Sequence, residues 1–420
     1  MEFEFSEDFA KRMDEADELR NFRQDFLFPQ HEGRDVVYFT GNSLGLQPRS
    51  AKVALNQELD DWAKYGVEGH FESKNPWYSY HEMFAEPLSN IVGAKESEVV
   101  AMNGLTTNLH LLMVSFYRPQ KGRSKILCEA KAFPSDLYAL KSQIRFHGFD
   151  PESDLVALEP REGEHSIREE DIFNAIEDHK DELALVMFGG VNFYTGQVLP
   201  MALISEKCNK YGITVGFDLA HGAGNIKLEL HNWNVDFACW CSYKYLNSGP
   251  GSVSGAFVHE KHHGKTDIPR FEGWWGHDKK ERFKMESDFS PIQSAEAWQL
   301  SNAPVLAMAV HKVSLDLFKK AGMDKLIEKS KTLTAYLEYV IDQVSSNSTS
   351  TEFEIITPES RGCQLSIHCH GAGKELFDEL TRNGVVADWR EPNVIRIAPV
   401  PLYNSFNDCY QFGKILEKSL

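Results

Sequence analysis

Lys244 closes the apolar run Val235–Tyr243 and is followed at once by a glycine-rich stretch, residues 248–255, while upstream the β-like run Ile213–Asp218 ends in an acid and continues to His221. In an α/β sheet, ligands sit at the carboxyl ends of the strands. An amine and a carboxylate capping neighbouring strands therefore face one crevice. That pairing suits pyridoxal phosphate, whose aldehyde forms a Schiff base with a lysine and whose pyridine nitrogen is held protonated by an acid so that the ring accepts carbanion electrons. Each residue alone has an ordinary reading, a solvated lysine or a helix-capping aspartate.

Two further segments offer matching chemistry. Residues 103–110, Asn-Gly-Leu-Thr-Thr-Asn-Leu-His, join a strand to a helix and supply hydroxyls and free N–H groups at a helix start. A phosphate could dock there, or a threonine could simply cap the helix. Phe133 ends the next strand, where it stacks on a planar ring or fills core.

These residues need an alternating scaffold to hold them. Strands are expected at 97–102, 125–128, 184–188 and 213–218, with helices at 106–117 and 201–211 between them, which gives a mainly parallel sheet covered by helices. After about Ala303 the pattern changes to long amphipathic helices, 305–319 and 323–344, then a Ser/Thr/Asn-rich link, 345–351. Short strands follow around 353–356, 364–367 and 394–397, with helices 374–383 and 405–416. The expected organisation is an N-terminal segment, 1–50, packing with a small domain, a large α/β domain, 51–303, and a smaller α+β domain, 304–420.

Composition excludes several classes. Lys and Arg number 44 against 62 Asp and Glu, a net charge of −18 spread along the chain, which repels nucleic acid and anionic membranes. The acidic N-terminus lacks a basic or apolar leader and no long apolar run occurs, so a cytoplasmic, soluble protein is expected. Seven cysteines, an odd count, read as reduced thiols, several in the core. Cys239 with Cys241, and His368 with His370, are spaced to share one face of a strand, but zinc needs three or four ligands. No metal is expected. His259, His262 and His263 read as a solvated polar loop.

The ordered set of motifs is more specific than any one of them. Residues 41–46 (Gly-Asn-Ser-Leu-Gly-Leu), the Leu105–Thr106 turn, 133–136 (Phe-Pro-Ser-Asp), 194–197 (Tyr-Thr-Gly-Gln), 218–221 (Asp-Leu-Ala-His), 242–246 (Ser-Tyr-Lys-Tyr-Leu), 273–277 (Gly-Trp-Trp-Gly-His), 300–302 (Leu-Ser-Asn) and 396–404 together resemble the kynureninases. The match runs from about Tyr38 to the C-terminus. It implies a fold-type-I pyridoxal phosphate enzyme, homodimeric, with sites built from both subunits. The reaction implied is hydrolysis of L-kynurenine or 3-hydroxy-L-kynurenine to L-alanine plus anthranilate or 3-hydroxyanthranilate, in tryptophan catabolism and NAD biosynthesis.

By the same resemblance Lys244 is the Schiff-base lysine, Asp218 the partner of the pyridine nitrogen and Phe133 the stacking aromatic. Leu105, Thr106 and Tyr243 match phosphate contacts, and Asp136 and His221 flank the ring. Trp274 and Asn302 match cofactor- or substrate-binding positions, from either subunit. Arg396 is placed to grip the substrate α-carboxylate, and Ser43 and His70 lie near the substrate's aromatic ring. His70 with Asn302 resembles the members that prefer 3-hydroxykynurenine. Tyr243 is a candidate proton donor to the Cβ carbanion. Gly189 departs from relatives that carry serine there. The alternatives are another enzyme of this fold, such as a cysteine desulfurase using Cys363, which lies in a strand-like run, or a catalytically silent binding protein.

Overall fold

The computed structural model describes residues 2–348 and 351–420. Seven strands build the large sheet: β1 Val99–Met102, β2 Lys125–Glu129, β3 Leu155–Leu158, β4 Leu183–Gly189, β5 Thr214–Asp218, β6 Phe237–Trp240 and β7 Ser254–Val258. Their spatial order is β1-β7-β6-β5-β4-β2-β3. All neighbours pair parallel except around β7, which runs antiparallel to both β6 and β1. Strands such as β4 are apolar at successive positions because helices cover both faces. Val186 and Phe188 enter one core while Leu185 and Met187 enter the other, as the two-residue strand period requires.

The expected fold class holds, with local differences. Strand β7 lies partly inside the glycine-rich stretch that followed Lys244. Gly255 is there because Trp240 packs directly on it and leaves no room for a Cβ. Edge strand β3 carries a weak, half-buried pattern that the sequence did not betray. Residues 96–98 form a 3-10 turn before β1 rather than part of the strand, because Glu98 turns back to accept the Lys95 N–H. Cys241 lies past the end of β6, so it does not share a strand with Cys239.

The C-terminal part has a four-stranded antiparallel sheet, Glu352–Ile355, Leu365–His370, Val394–Ile397 and Asp388–Arg390 in that spatial order. One face packs on helices Met323–Asn347 and Phe406–Lys418 through Leu337, Val340, Ile367, Ile395 and Phe412. The first of these helices absorbs the start of the Ser/Thr/Asn-rich link, and residues 349 and 350 of that link lie outside the described residues. Helix Glu7–Ala16 is capped by Ser6, which accepts the Phe9 N–H, and buries Phe9 and Ala10 in this same core. Asp14 in turn accepts the N–H groups of Phe406 and Asn407 at the start of the last helix. Farther on, Phe26, Tyr38 and Leu46 join the core of the large sheet.

The His259 loop differs from its expected solvated state. His259 is buried, His262 Nε2 bonds Asp236 at 2.8 Å and His263 Nε2 bonds the Val258 carbonyl at 3.0 Å. The loop folds back on the sheet because Asp236, itself buried, needs partners. All seven cysteines are free and buried.

Candidate functional site

Strands β2, β4 and β5 and the turn after β6 converge on a cleft of about 170 Å³ lined by Leu105, Thr106, Glu129, Phe133, Ser135, Asp136, Gly189, Val191, Phe193, Asp218, Ala220, His221, Cys241, Tyr243 and Lys244. Eight of the site residues assigned from sequence thus meet in one place: Leu105, Thr106, Phe133, Asp136, Asp218, His221, Tyr243 and Lys244.

Lys244 sits in a turn rather than on a strand. The turn is pinned by Asn247 N–H, which donates to the Lys244 carbonyl at 3.0 Å, and by Gly45 N–H, which donates to the Tyr243 carbonyl at 2.9 Å. Gly45 approaches so closely that a Cβ would strike the Lys244 carbonyl oxygen and the Asn247 side chain. The N-terminal segment therefore holds the lysine turn in place. Lys244 Nζ lies 3.0 Å from His221 Nε2 and 5.7 Å from the centre of the Phe133 ring. Burial, then the charges of Lys244, Arg396 and Arg390, pushes His221 well below the ordinary imidazole range. His221 is a neutral base here, and its buried Nδ1 has no hydrogen-bond partner.

Three carboxyl groups share the cleft. Asp218 ends β5 and accepts the Ala220 N–H at 2.7 Å. Burial raises both Asp218 and Asp136, but Ala220 and Lys244 pull Asp218 back, whereas Asp136 keeps its proton and hydrogen-bonds Asp218. Glu129 ends β2 and accepts the Gly189 N–H at 3.0 Å. Its burial, with a smaller push from Asp218, lifts it to about 7. A Cβ on Gly189 would lie 2.9 Å from Glu129 Oε1, so the carboxyl occupies the space a serine side chain would take. Glu129 was missed from sequence, although an acid at a strand's carboxyl end was the signal used for Asp218.

The helices Leu105–Phe116 and Pro134–Phe146 both begin at the cleft. Thr106 and Ser135, one from each first turn, touch through their hydroxyls at 2.8 Å. Unpaired N–H groups and two positive helix ends make this corner suited to a phosphate. Phe133 caps the cleft and is 47% exposed. An amine, a carboxylate, an open aromatic face and an anion-binding corner fit pyridoxal phosphate. Tyr243 is half-buried, and burial with the neighbouring Cys241 pushes its phenol upward, so it carries its proton at neutral pH.

Arg396 stands one layer behind. It is 1% exposed, and its guanidinium lies 5.9 Å from the Phe193 ring, which meets Phe133 edge-on at 5.3 Å. One guanidinium nitrogen donates to the Phe193 carbonyl and another to Asp388, while Nε is buried without a partner. Ser43 Oγ donates to the same Asp388 oxygen at 2.7 Å. Ser43 and Arg396 are thus joined through an acid that sequence did not flag.

Trp274, His70 and Asn302 do not line the cleft. Trp274 donates to the Arg282 carbonyl and packs on Phe283, which stacks on Tyr78, which stacks on Phe71 beside His70. Gly273 packs directly on Leu300, which brings the Trp274 and Asn302 segments together. Phe71, Trp274 and Phe283 are all exposed.

The desulfurase reading required a reactive thiolate. Cys363 instead precedes its strand, is fully buried beside Tyr245, and is pushed up to about 12 by that burial.

Comparison with known proteins places this geometry in a family. The class-V aminotransferase model matches residues 37–369, and the model of the kynureninase C-terminal domain matches residues 326–416. Kynureninases of Flavobacterium psychrophilum and Flavobacterium johnsoniae are 58% and 56% identical to the chain, covering 100% of it and 99% of each relative. That of Nematostella vectensis is 47% identical, covering 98% of the chain and 93% of the relative. Among solved structures, the cysteine desulfurase CsdA from Escherichia coli superposes with a TM-score of 0.76 at 15% identity, covering 96% of this chain and 98% of that one. At that identity the likeness speaks for the fold.

Proposed function

Since the chain belongs to the kynureninase family, we propose that the cleft around Lys244 and Asp218 is its active site and that 3-hydroxy-L-kynurenine is the preferred substrate. As a member, it is a pyridoxal phosphate-dependent hydrolase that cleaves kynurenine at a carbon–carbon bond. The observation that carries the reading is the convergence of Lys244, Asp218 and Phe133 on one cleft beside two helix starts.

When bound, the cofactor supplies the electron sink for breaking the Cβ–Cγ bond of the substrate. Asp218 would hold the ring nitrogen protonated, and Phe133 would cover the ring. Leu105, Thr106 and Tyr243 would hold the phosphate, with Asp136 and His221 at the ring's edge. Lys244 Nζ takes the Cα proton, with neutral His221 as a hydrogen-bond partner that adds no competing charge. With water adding to the substrate's γ-carbonyl, the Cβ–Cγ bond would break with departure of the aromatic acid, and Tyr243, held protonated, would donate to Cβ of the alanine fragment that stays behind. Arg396 would grip the α-carboxylate by exchanging its present partners, and its unpaired Nε gives a donor ready for that role.

The exposed aromatic group around Trp274 supports a homodimer in which this surface reaches the partner's cleft. Trp274, Asn302 and His70 would then serve the site across the interface. Preference for the hydroxylated substrate rests on His70 and Asn302 matching the 3-hydroxykynurenine-preferring members. A site built to hydrogen-bond a hydroxyl discriminates strongly against the analogue lacking it. We read residues 51–303 as the cofactor domain and 304–420 as the small domain, with residues 1–50 packing on both cores. We also read the protein as cytoplasmic with no nucleic-acid partner, in keeping with its −18 charge. No helix of the described residues is long and apolar enough to cross a membrane.

The test is release of fluorescent product by cofactor-loaded enzyme on the two substrates in parallel. A higher kcat/KM for 3-hydroxykynurenine supports the specificity, a higher value for kynurenine rejects it, and release of neither product rejects the active-site assignment.

A further inference from the structure

The His368/His370 pair, too sparse for a metal in sequence, gains two partners in the fold. Strand Glu352–Ile355 pairs antiparallel with Leu365–His370 so that Glu354 lies directly opposite His368. Alternation puts Glu354, His368 and His370 on one face, while Phe353 and Cys369 enter the core on the other. From the large sheet, the loop between Leu155–Leu158 and helix Glu169–Asp178 brings His165 to the same carboxylate.

The spacing of three of these groups, His165, Glu354 and His368, is that of a coordination sphere. Glu354 Oε1 lies 3.7 Å from His165 Nε2, and Oε2 lies 3.4 Å from His368 Nδ1 and 2.8 Å from His370 Nε2. The ligand atoms of His165, Glu354 and His368 all fall within 4.8 Å of one another. Ligands bound at zinc distances on a tetrahedral ion stand about 3.3 Å apart. His368 Nδ1 is moreover buried, and its polar neighbour, Glu354 Oε2 at 3.4 Å, lies outside hydrogen-bond geometry, a state that costs free energy unless something else uses the nitrogen.

We propose that His165, Glu354 and His368 form a binding site for a borderline divalent transition-metal ion of the Zn2+ class, with His370 holding Glu354 through its 2.8 Å hydrogen bond. Imidazole and carboxylate suit such ions, whereas Ca2+ and Mg2+ require oxygen ligands throughout. The Glu98, His231 and His259 group is a weaker rival, because Glu98 already accepts the Lys95 and Glu260 N–H groups and His259 Nδ1 accepts that of Lys261. An ion at Glu354 ties the loop after Leu158 to the small sheet. His165 and His368 line a second cleft of about 490 Å³, which shares Glu129 and Phe193 with the candidate active site. The ion therefore fastens the outer wall next to the substrate cleft.

The experiment titrates Zn2+ into cofactor-loaded enzyme in a non-coordinating buffer by calorimetry, with Co2+ as a visible-absorbance reporter of tetrahedral geometry. A single ion per chain is expected, and His368→Ala and Glu354→Gln should each weaken it about tenfold or more. Both variants should lose the Co2+ band while keeping cofactor absorbance and metal-free kcat. Zn2+ should slow amide exchange in residues 159–168 of the unmodified enzyme and leave it unchanged in His368→Ala. Absence of binding, or an ion indifferent to both substitutions, overturns the site.

Discussion

Glu129→Gln should stabilise the cofactor-free protein at alkaline pH and do so far less near pH 5. The carboxyl is enclosed at the end of β2, and burial lifts it from an ordinary 4.5 to about 7. At about 1.4 kcal/mol per pH unit, holding this group ionised in the folded state costs about 3 kcal/mol. The sign follows from proton linkage: between 4.5 and 7 the folded state keeps a proton that the unfolded state has lost, so stability falls as pH rises through that window and the full cost is present above 7. Glutamine does not ionise, and its amide oxygen still accepts the Gly189 N–H that Glu129 holds at 3.0 Å. For a chain of 420 residues, an unfolding entropy of about 2.1 cal/mol/K per residue turns that cost into about 4 °C of Tm. Thermal unfolding of both proteins from pH 5 to pH 8.5 measures the gap, which should open from about 1 °C to about 4 °C in favour of the variant. A gap that stays constant across this range would refute the burial of a titrating carboxyl beside Asp218.

Other perturbations act on neighbouring parts of the site. Tyr243→Phe should lower kcat by about a hundredfold, the usual scale for loss of a positioned acid; unchanged kcat and an unchanged burst of aromatic product would remove Tyr243 from proton transfer. Gly45→Ala forces a methyl against the Lys244 carbonyl and should cost about 1–3 kcal/mol of stability, measured by denaturant unfolding, together with weaker cofactor retention on dialysis. Arg396→Gln should raise KM at least as much as it lowers kcat. Asp388 keeps its Arg390 partner at 3.0 Å, so thermal stability should change far less than it would if that acid were left alone.

Much of the cleft was legible because its chemistry sits at strand ends. An apolar run followed by Lys244, and another ending in Asp218, gave both residues, Asp218 at the end of β5 and Lys244 in the turn after β6. Phe133 and the Leu105–Thr106 pair were legible as lying after strands, although Phe133 does not end its strand, which stops at Glu129, but precedes helix Pro134–Phe146, and Leu105 opens a helix. What escaped depends on contacts between segments distant in the chain. Asp388 matters only because antiparallel pairing sets it opposite Arg396, and Gly45 only because the N-terminal segment crosses under Lys244. Strand β7 was hidden by its glycine, whose purpose is to admit the Trp240 ring. The His259 loop read as solvated because its partner, Asp236, belongs to the turn before β6. His70, Trp274 and Asn302 gather on a surface away from the cleft, a grouping that no sequence spacing displays.

The central claim is that Lys244 carries the cofactor over Asp218. Borohydride reduction of the pyridoxal phosphate-loaded enzyme, followed by peptide mass spectrometry, tests it most directly. A phosphopyridoxyl group on Lys244 is the expected result, with that label lost in Lys244→Ala along with product release. A label on any other lysine, or product release that survives Lys244→Ala, would contradict it.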